Sequence, residues 1–475
     1  MLSRAACLVV LVCLATSCSD DGAANGDAAS LGDGTSAATV GTEGHGTTFG
    51  DEASGGQAQT SATGPGADTS ADTGSDTGND TGPSPGDDGI GEWIDEPGAC
   101  PDGAVQVDIH DAEEMASAAR GESGTDATCF FVHDGVYEQT SGSPLLYFLR
   151  GGTAEQPLVW VGESRDGVIV RSRATFEHDG SSSSDHIVLS NMTFDISTQT
   201  STDAYNTITV LGSDITLTHL TLTGDCQHGA RGGHVEIPGR DDGSGSSGIT
   251  VEACLIENFG RCGTDDGALD HGVYISAGSD LVLRNNVIRG NASRGIQVYT
   301  HYEDSSLSID GLLVERNRIL ENGHADYQDG MVINGNVGGG YDGPLTNVII
   351  RNNIFYGNYY SGIRFVGNAV SSVEITQNTF VEDGTGSSSA NRSEINVDEG
   401  TPDANVSRNI FVALEQLTNG CAGTLAIDDN VVFGGDASGA CVTGVQMLDP
   451  ELVDPAGGDF HAQAAAAAGY GAYGP

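Results

Sequence analysis

His271, Tyr274, Arg294, Gln297, Tyr299 and Asp329 are spread over three short runs of one form: His271-Gly-Val-Tyr-Ile275, Arg294-Gly-Ile-Gln-Val-Tyr299 and Asp329-Gly-Met-Val-Ile333. An imidazole or a phenol can remove the proton beside a carboxylate once that carboxylate's charge is offset, by a guanidinium such as Arg294 or by a bound cation. This inventory suits β-elimination from a uronate, or its epimerisation. The chain contains no lysine, and His271 and Tyr274 are the candidates for the base. A histidine near its ordinary pKa of about 6.5 is already suited, whereas a tyrosine near about 10 needs Arg294 close by to lower it.

What would make neighbours of residues so far apart is a repeat. Asn286, Asn317, Asn353, Asn378, Asn409 and Asn430 each follow an alternating apolar pair by three residues, as in Leu281/Leu283 and Val348/Ile350, at spacings of 21 to 36. Alternation of period two means strand, and a fixed local motif at variable spacing means loop insertions into a stacked coil. Coils about 4.8 Å apart let buried asparagines bond one another in a column. Earlier coils carry Met192, Leu220 and Cys254 at that position, and a second column is expected at Asn258, Asn291, Asn322, Asn358 and Asp383.

Aligning the second strand set turns Val235, Val273, Ile296, Met331, Ile363 and Ile395 inward. It turns Glu236, Tyr274, Gln297, Val332, Arg364 and Asn396 outward, with His271, Arg294 and Asp329 on their N-terminal flank. The expected site therefore has His271, Tyr274 and Arg294 as catalytic groups and Gln297, Tyr299, Asp329, Arg364 and Glu236 as substrate contacts. Plainer roles exist for some of them. His271 before a glycine can brace a turn, and Tyr274 and Tyr299 can stack on sugars without reacting. His228, Arg231, His234 and Glu236 form a neighbouring polar cluster, and Arg284, Glu315 and Arg351 read as a surface ion-pair ladder.

These runs and the asparagine ladder resemble the right-handed parallel β-helix proteins of the pectate-lyase-like superfamily. The resemblance covers about residues 105–465. It implies an all-β, single-stranded right-handed solenoid, with the segment Asp111 to Arg120 as a capping helix over the open first coil. The ending Asp449-Pro, Val453-Asp-Pro455 and Gly458-Asp-Phe-His461 is similar to the C-terminal segment of secreted polysaccharide-lyase-like members, although Ala464 to Ala468 replaces the continuation usual there. Lyases of this kind often use Lys or Arg as base. Alginate epimerases resemble the chain in placing an Asp beside a His, as Asp270-His271 does. The loop Asp265-Asp266-Gly-Ala-Leu-Asp270 offers oxygen ligands for Ca²⁺, or is simply a solvated turn.

Composition sets the context. Of 475 residues 70 are glycine, and the formal net charge is -49, which excludes general nucleic-acid binding because phosphate contacts need clustered cations. Residues 1–18 combine Arg4, the apolar run Cys7 to Leu14 and small residues, a secretory start too short to span a bilayer. Leu14-Ala15-Thr16-Ser17-Cys18 resembles a bacterial lipobox, which would lipidate Cys18; ordinary cleavage is the alternative. Ser19 after the cysteine, by resemblance to Gram-negative lipoproteins, favours the outer membrane.

Residues 19–98, rich in Gly, Ser, Thr and Asp, cannot repay the entropy of ordering and read as a tether. The solenoid is expected over 99–465, with a tail over 466–475. Seven cysteines remain after the leader, so one is left free; Cys254 fits, lying in the inward ladder register. Pairing by proximity gives Cys100 with Cys129, Cys226 with Cys262, and Cys421 with Cys441.

The expected protein is a surface-anchored, monomeric, carbohydrate-active β-helix whose partner is an acidic extracellular polysaccharide, acting as a lyase or epimerase. A non-catalytic glycan-binding or adhesion protein is the competing class. Hydrolysis by paired carboxylates fits less well, since Glu236 and Asp329 stand three coils apart, roughly 14 Å at 4.8 Å per coil.

Overall fold

The structure, a computed structural model, describes residues 90–91, 98–139, 143–178, 183–198, 206–229, 232–240, 244–300, 307–323, 328–335, 343–386, 392–398 and 400–474. The leader, Cys18, nearly all of the expected tether and Arg231 lie outside the described residues, as do the side chains of Asp265 and Asp266.

Short strands wind into a right-handed parallel β-helix. Among the described residues, three parallel sheets of 12, 12 and nine strands run along it. Each complete coil contributes one strand to the first sheet, then to the second, then to the third, so sequence neighbours lie around a coil and coil neighbours lie in a sheet. The strands are short because the corners are tight. The residue before each ladder position takes a left-handed backbone: Asn191, His219, Ala253, Asn285, Arg316, Asn352, Gln377, Arg408 and Asp429 all have φ between 50° and 58°. That region costs most residues energy and asparagine least, so the corners recur only because the stack over-determines them.

The interior is one continuous apolar column. Val235, Val273, Ile296, Met331, Ile363 and Ile395 are fully buried, as the alternation predicts. Phe355, Phe380 and Phe411 stack at 4.7 and 4.8 Å, one ring per coil. The polar ladder lies between the first and second sheets. Nδ2 of Asn286, Asn317, Asn353, Asn378 and Asn409 each donates to Oδ1 of the asparagine in the next coil at 2.9–3.0 Å. The backbone N–H of each also donates to that same oxygen, so no ladder amide goes unpaired for want of water.

The second ladder, between the second and third sheets, runs Asn291, Asn322, Asn358 and Asp383. Asn258 is not part of it. It holds the left-handed corner at φ 58°, where the next coil has Gly290, and Phe259 fills the ladder position.

Helix α1 (Ala112–Ala119) begins at Asp111, whose side chain accepts from Glu114 N–H, and buries Met115, Ala116, Ala118 and Ala119 over the first coil. The disulfides are Cys100–Cys129, Cys226–Cys262 and Cys421–Cys441, and Cys254 is a buried free thiol. At the far end the chain returns along the outside of the second sheet. Phe460 and Ala472 pack there with Ile90, Leu255, Val287 and Ile354, while Arg318 donates to the carbonyls of Ile90 and Gly458. Residues of the expected 466–475 tail thus cover sheet surface: Ala467 and Ala472 are buried, and Ala472 N–H donates to Thr379 Oγ1. No helix among the described residues is long and apolar enough to cross a membrane.

Candidate functional site

The third sheet builds the candidate site. Its register pairs Glu236 with Tyr274, Tyr274 with Gln297, Gln297 with Val332, Val332 with Arg364 and Arg364 with Asn396. The outward column read from sequence is therefore one file of side chains, each a strand spacing from the next. Tyr299 pairs with Asn334 two positions further along and is half-buried.

His271, Arg294 and Asp329 share this wall because of the glycine that follows each. A Cβ on Gly272, Gly295 or Gly330 would stand 2.8 Å from Nδ2 of Asn291, Asn322 or Asn358. These glycines face the second ladder, and the residue before each points the opposite way. Ser361, before Gly362, completes the set.

Asp329 is fully enclosed. Its Oδ2 lies 3.8 Å from Arg294 Nε and 3.6 Å from Arg364 Nη1, and its Oδ1 accepts from Ser361 Oγ at 2.5 Å. Burial raises its carboxyl pKa while the two guanidiniums pull it back. Arg364 also donates to Asp398 at 2.6 Å, and its guanidinium lies 5.9 Å from the Tyr360 ring centre. Burial lowers Arg294 to about 10, which leaves it charged at neutral pH.

His271 is 3% exposed, its Nδ1 is enclosed without a hydrogen-bond partner, and its ring centre lies 5.6 Å from that of Tyr274. Burial, helped by the Arg294 charge, holds its pKa well below the ordinary imidazole value, so the ring is neutral across the physiological range. It is a standing proton acceptor rather than a group poised near 6.5. Gln297 is buried with Oε1 unbonded. Glu236 is half-buried, accepts from Asn206 Nδ2, and is pushed up to about 7 by burial.

The other sequence candidates lie in different surroundings. Asp270 is enclosed and takes Arg261 Nε and Nη2 at 2.8 and 2.9 Å. Asp265 and Asp266 open a 3-10 turn, Asp265–Leu269, capped by Thr264. Among the described residues no group of three or more His, Cys, Asp or Glu is arranged to hold a metal ion. His234 occupies the inward glycine position, bonded to Thr207 Oγ1 and the Glu257 carbonyl, with its pKa lowered by burial to about 3. It is a core residue. Arg284 pairs with Glu252 and Arg351 with Glu315, a ladder of exposed ion pairs.

Sequence reading missed Ser361, Asn206 and Asp398. Ser361-Gly362 repeats the pattern of Asp329-Gly330 and was open to the same alignment. Asn206 lies in a coil with no such motif.

The chain is thus a right-handed parallel β-helix protein with a polar, partly cationic file on one outer face. Residues 162–380 match the family model described as a right handed beta helix region. Among solved structures it is similar to the A-module of a mannuronan C-5 epimerase from Azotobacter vinelandii, at 16% identity over 74% of this chain and 98% of that one, TM-score 0.44. It is also similar to the tailspike protein of an E. coli bacteriophage in complex with a hexasaccharide, at 14% identity over 67% of this chain and 61% of that one, TM-score 0.46. A third is a surface adhesin of Streptococcus pneumoniae, at 13% identity over 70% and 88%, TM-score 0.37. No curated protein sequence matches the chain. Identities this low assign no residue a role.

Proposed function

We propose that the third-sheet face acts on an acidic polysaccharide by removing the proton beside a uronate carboxylate, as a lyase or C-5 epimerase. The supporting observation is the Arg294–Asp329–Arg364 set next to His271 and Tyr274 on one file. Two guanidiniums face one buried carboxylate, Arg364 pairs in addition with Asp398, and Arg294 is the cation of the set that a substrate carboxylate would approach. A uronate held there has its charge offset, so proton loss does not build a doubly charged anion. The neutral His271 ring is the acceptor, and Tyr274, Gln297 and Tyr299 contact the sugar. Cys18 would tether this face to the outer membrane, which makes extracellular polysaccharide the natural partner.

The test is a screen of alginate, pectate and chondroitin for ultraviolet-absorbing unsaturated product, with proton magnetic resonance to detect C-5 inversion. Product or inversion with any of them supports the reading. Binding of a glycan with neither would make the protein a non-catalytic binder.

A further inference from the structure

Glu236 is built into this site more firmly than a sugar contact requires. It stands directly across from Tyr274 on the adjacent strand. Asn206, from the preceding coil, grips it: Nδ2 donates to Glu236 Oε2, while Oδ1 accepts from Gly233 N–H at 3.0 Å, on the strand that carries Glu236. The carboxyl is thereby fixed by one oxygen to its own strand. Carboxyl, phenol and imidazole follow one another on two neighbouring strands, because the Tyr274 ring lies 5.6 Å from that of His271.

We propose, resting on the uronate reading above, that the site cleaves its chain by syn elimination, with His271 as the base and Glu236 as the acid. The substrate class follows from the wall. Acceptor and donor stand on the same face of the third sheet, to either side of Tyr274, so the hydrogen removed and the oxygen expelled lie on one face of the sugar ring. In mannuronate and glucuronate the C5 hydrogen and the C4 oxygen are on the same face; in guluronate and galacturonate they are on opposite faces.

In the step, the C5–H bond breaks and His271 takes the proton. The electron pair forms the C4–C5 double bond, the C4–O bond breaks, and the leaving oxygen takes the proton of Glu236. Both groups are reset by exchange with water, and no oxidant or reductant enters. The protonation states suit these roles, since His271 is held neutral and Glu236 keeps its proton up to about 7.

The experiment presents the full-length protein with polymannuronate, polyglucuronate, polyguluronate and polygalacturonate and follows unsaturated product by ultraviolet absorbance across pH. The expected result is turnover of one or both of the first two, with kcat/KM falling about tenfold per pH unit above about 7 as the acid ionises. Glu236→Gln, which still offers Asn206 an oxygen, lowers kcat/KM by about 100-fold or more. Asn206→Ala moves the alkaline limb upward, because the lost donor favours the ionised carboxylate. Turnover confined to polyguluronate or polygalacturonate, a rate that rises through pH 7, a limb indifferent to Asn206→Ala, or full activity in Glu236→Gln overturns the proposal and leaves the uronate reading standing. No unsaturated product from any of the four overturns the elimination, and the absence of C-5 inversion as well, by proton magnetic resonance, overturns the uronate reading with it.

Discussion

Arg294 and Arg364, two coils apart in the third sheet, converge on a single oxygen, Oδ2 of Asp329, at 3.8 and 3.6 Å. Asp329 lies in the coil between them and is fully buried, so it orders the two cations from beneath. Removing it takes the counter-charge from the largely buried Arg294 and leaves Arg364 with Asp398 alone. Asp329→Asn is expected to lower unfolding stability by about 3 kcal/mol, measured by urea denaturation. Ser361→Ala, which removes only one hydrogen bond to the same carboxylate, should cost about 1 kcal/mol. An unchanged midpoint in Asp329→Asn would mean that the carboxylate does not hold the pair.

Asn353 is a link with partners on both sides. It accepts from Asn317 N–H and Nδ2, and it donates to Asn378 Oδ1. Asn353→Leu strands those groups in a dry column at about 1–3 kcal/mol for each one left unmet. Calorimetry should show a lower melting temperature, and a transition at the wild-type temperature would remove the ladder from the account of stability.

These two cases also show what the chain makes legible and what it does not. The ladder and the outward file could be read because both depend on strand alternation, a local rule that stacking repeats from coil to coil. Asn258 was misassigned because corner and ladder positions are adjacent and both accept asparagine, one for its left-handed backbone and the other for its amide. Only coordinates separate them. The burial of His271 and Asp329 was invisible for a related reason: alternation tells which way a side chain points but not how deeply its neighbours enclose it. The Asn206 grip on Glu236 spans 30 residues with no motif to announce it.

The second ladder ends in a carboxyl pair, and that end should respond to pH. Asp383 takes Asn358 N–H and Nδ2 through Oδ1, while its other carboxyl oxygen meets the buried carboxyl of Glu394, so that a proton on one hydrogen-bonds the other. Burial raises Asp383 to about 7 and Glu394 well above its ordinary value, with Asp329 and Glu382 adding like charge. Raised carboxyl values mean that the folded state binds more protons than the unfolded state. The contribution is therefore complete below about pH 4 and is lost as pH rises through about 7, by roughly 1 kcal/mol per pH unit for each proton. Melting temperature should fall over that window in the wild type and fall less in Glu394→Gln. Parallel profiles would contradict a shared proton.

Cys254 offers a check on the inward register. Its thiol is buried and pushed up to about 12 by burial, so the thiolate is scarce. In protein without residues 1–18, which hold Cys7, Cys13 and Cys18, iodoacetamide should leave the native chain unlabelled and add one equivalent only after unfolding under non-reducing conditions. Rapid labelling of the native protein would place Cys254 outside the core.

The central claim is that the His271 wall of the third sheet does chemistry on a uronate. The most direct measurement is unsaturated-product formation by wild type, His271→Ala and His461→Ala on the best glycan of the screen. His461 is exposed and stacked on Tyr473, remote in sequence from the file. The account predicts product from wild type and His461→Ala, and a loss of at least about 100-fold in His271→Ala with folding retained. Equal activity in all three would contradict it.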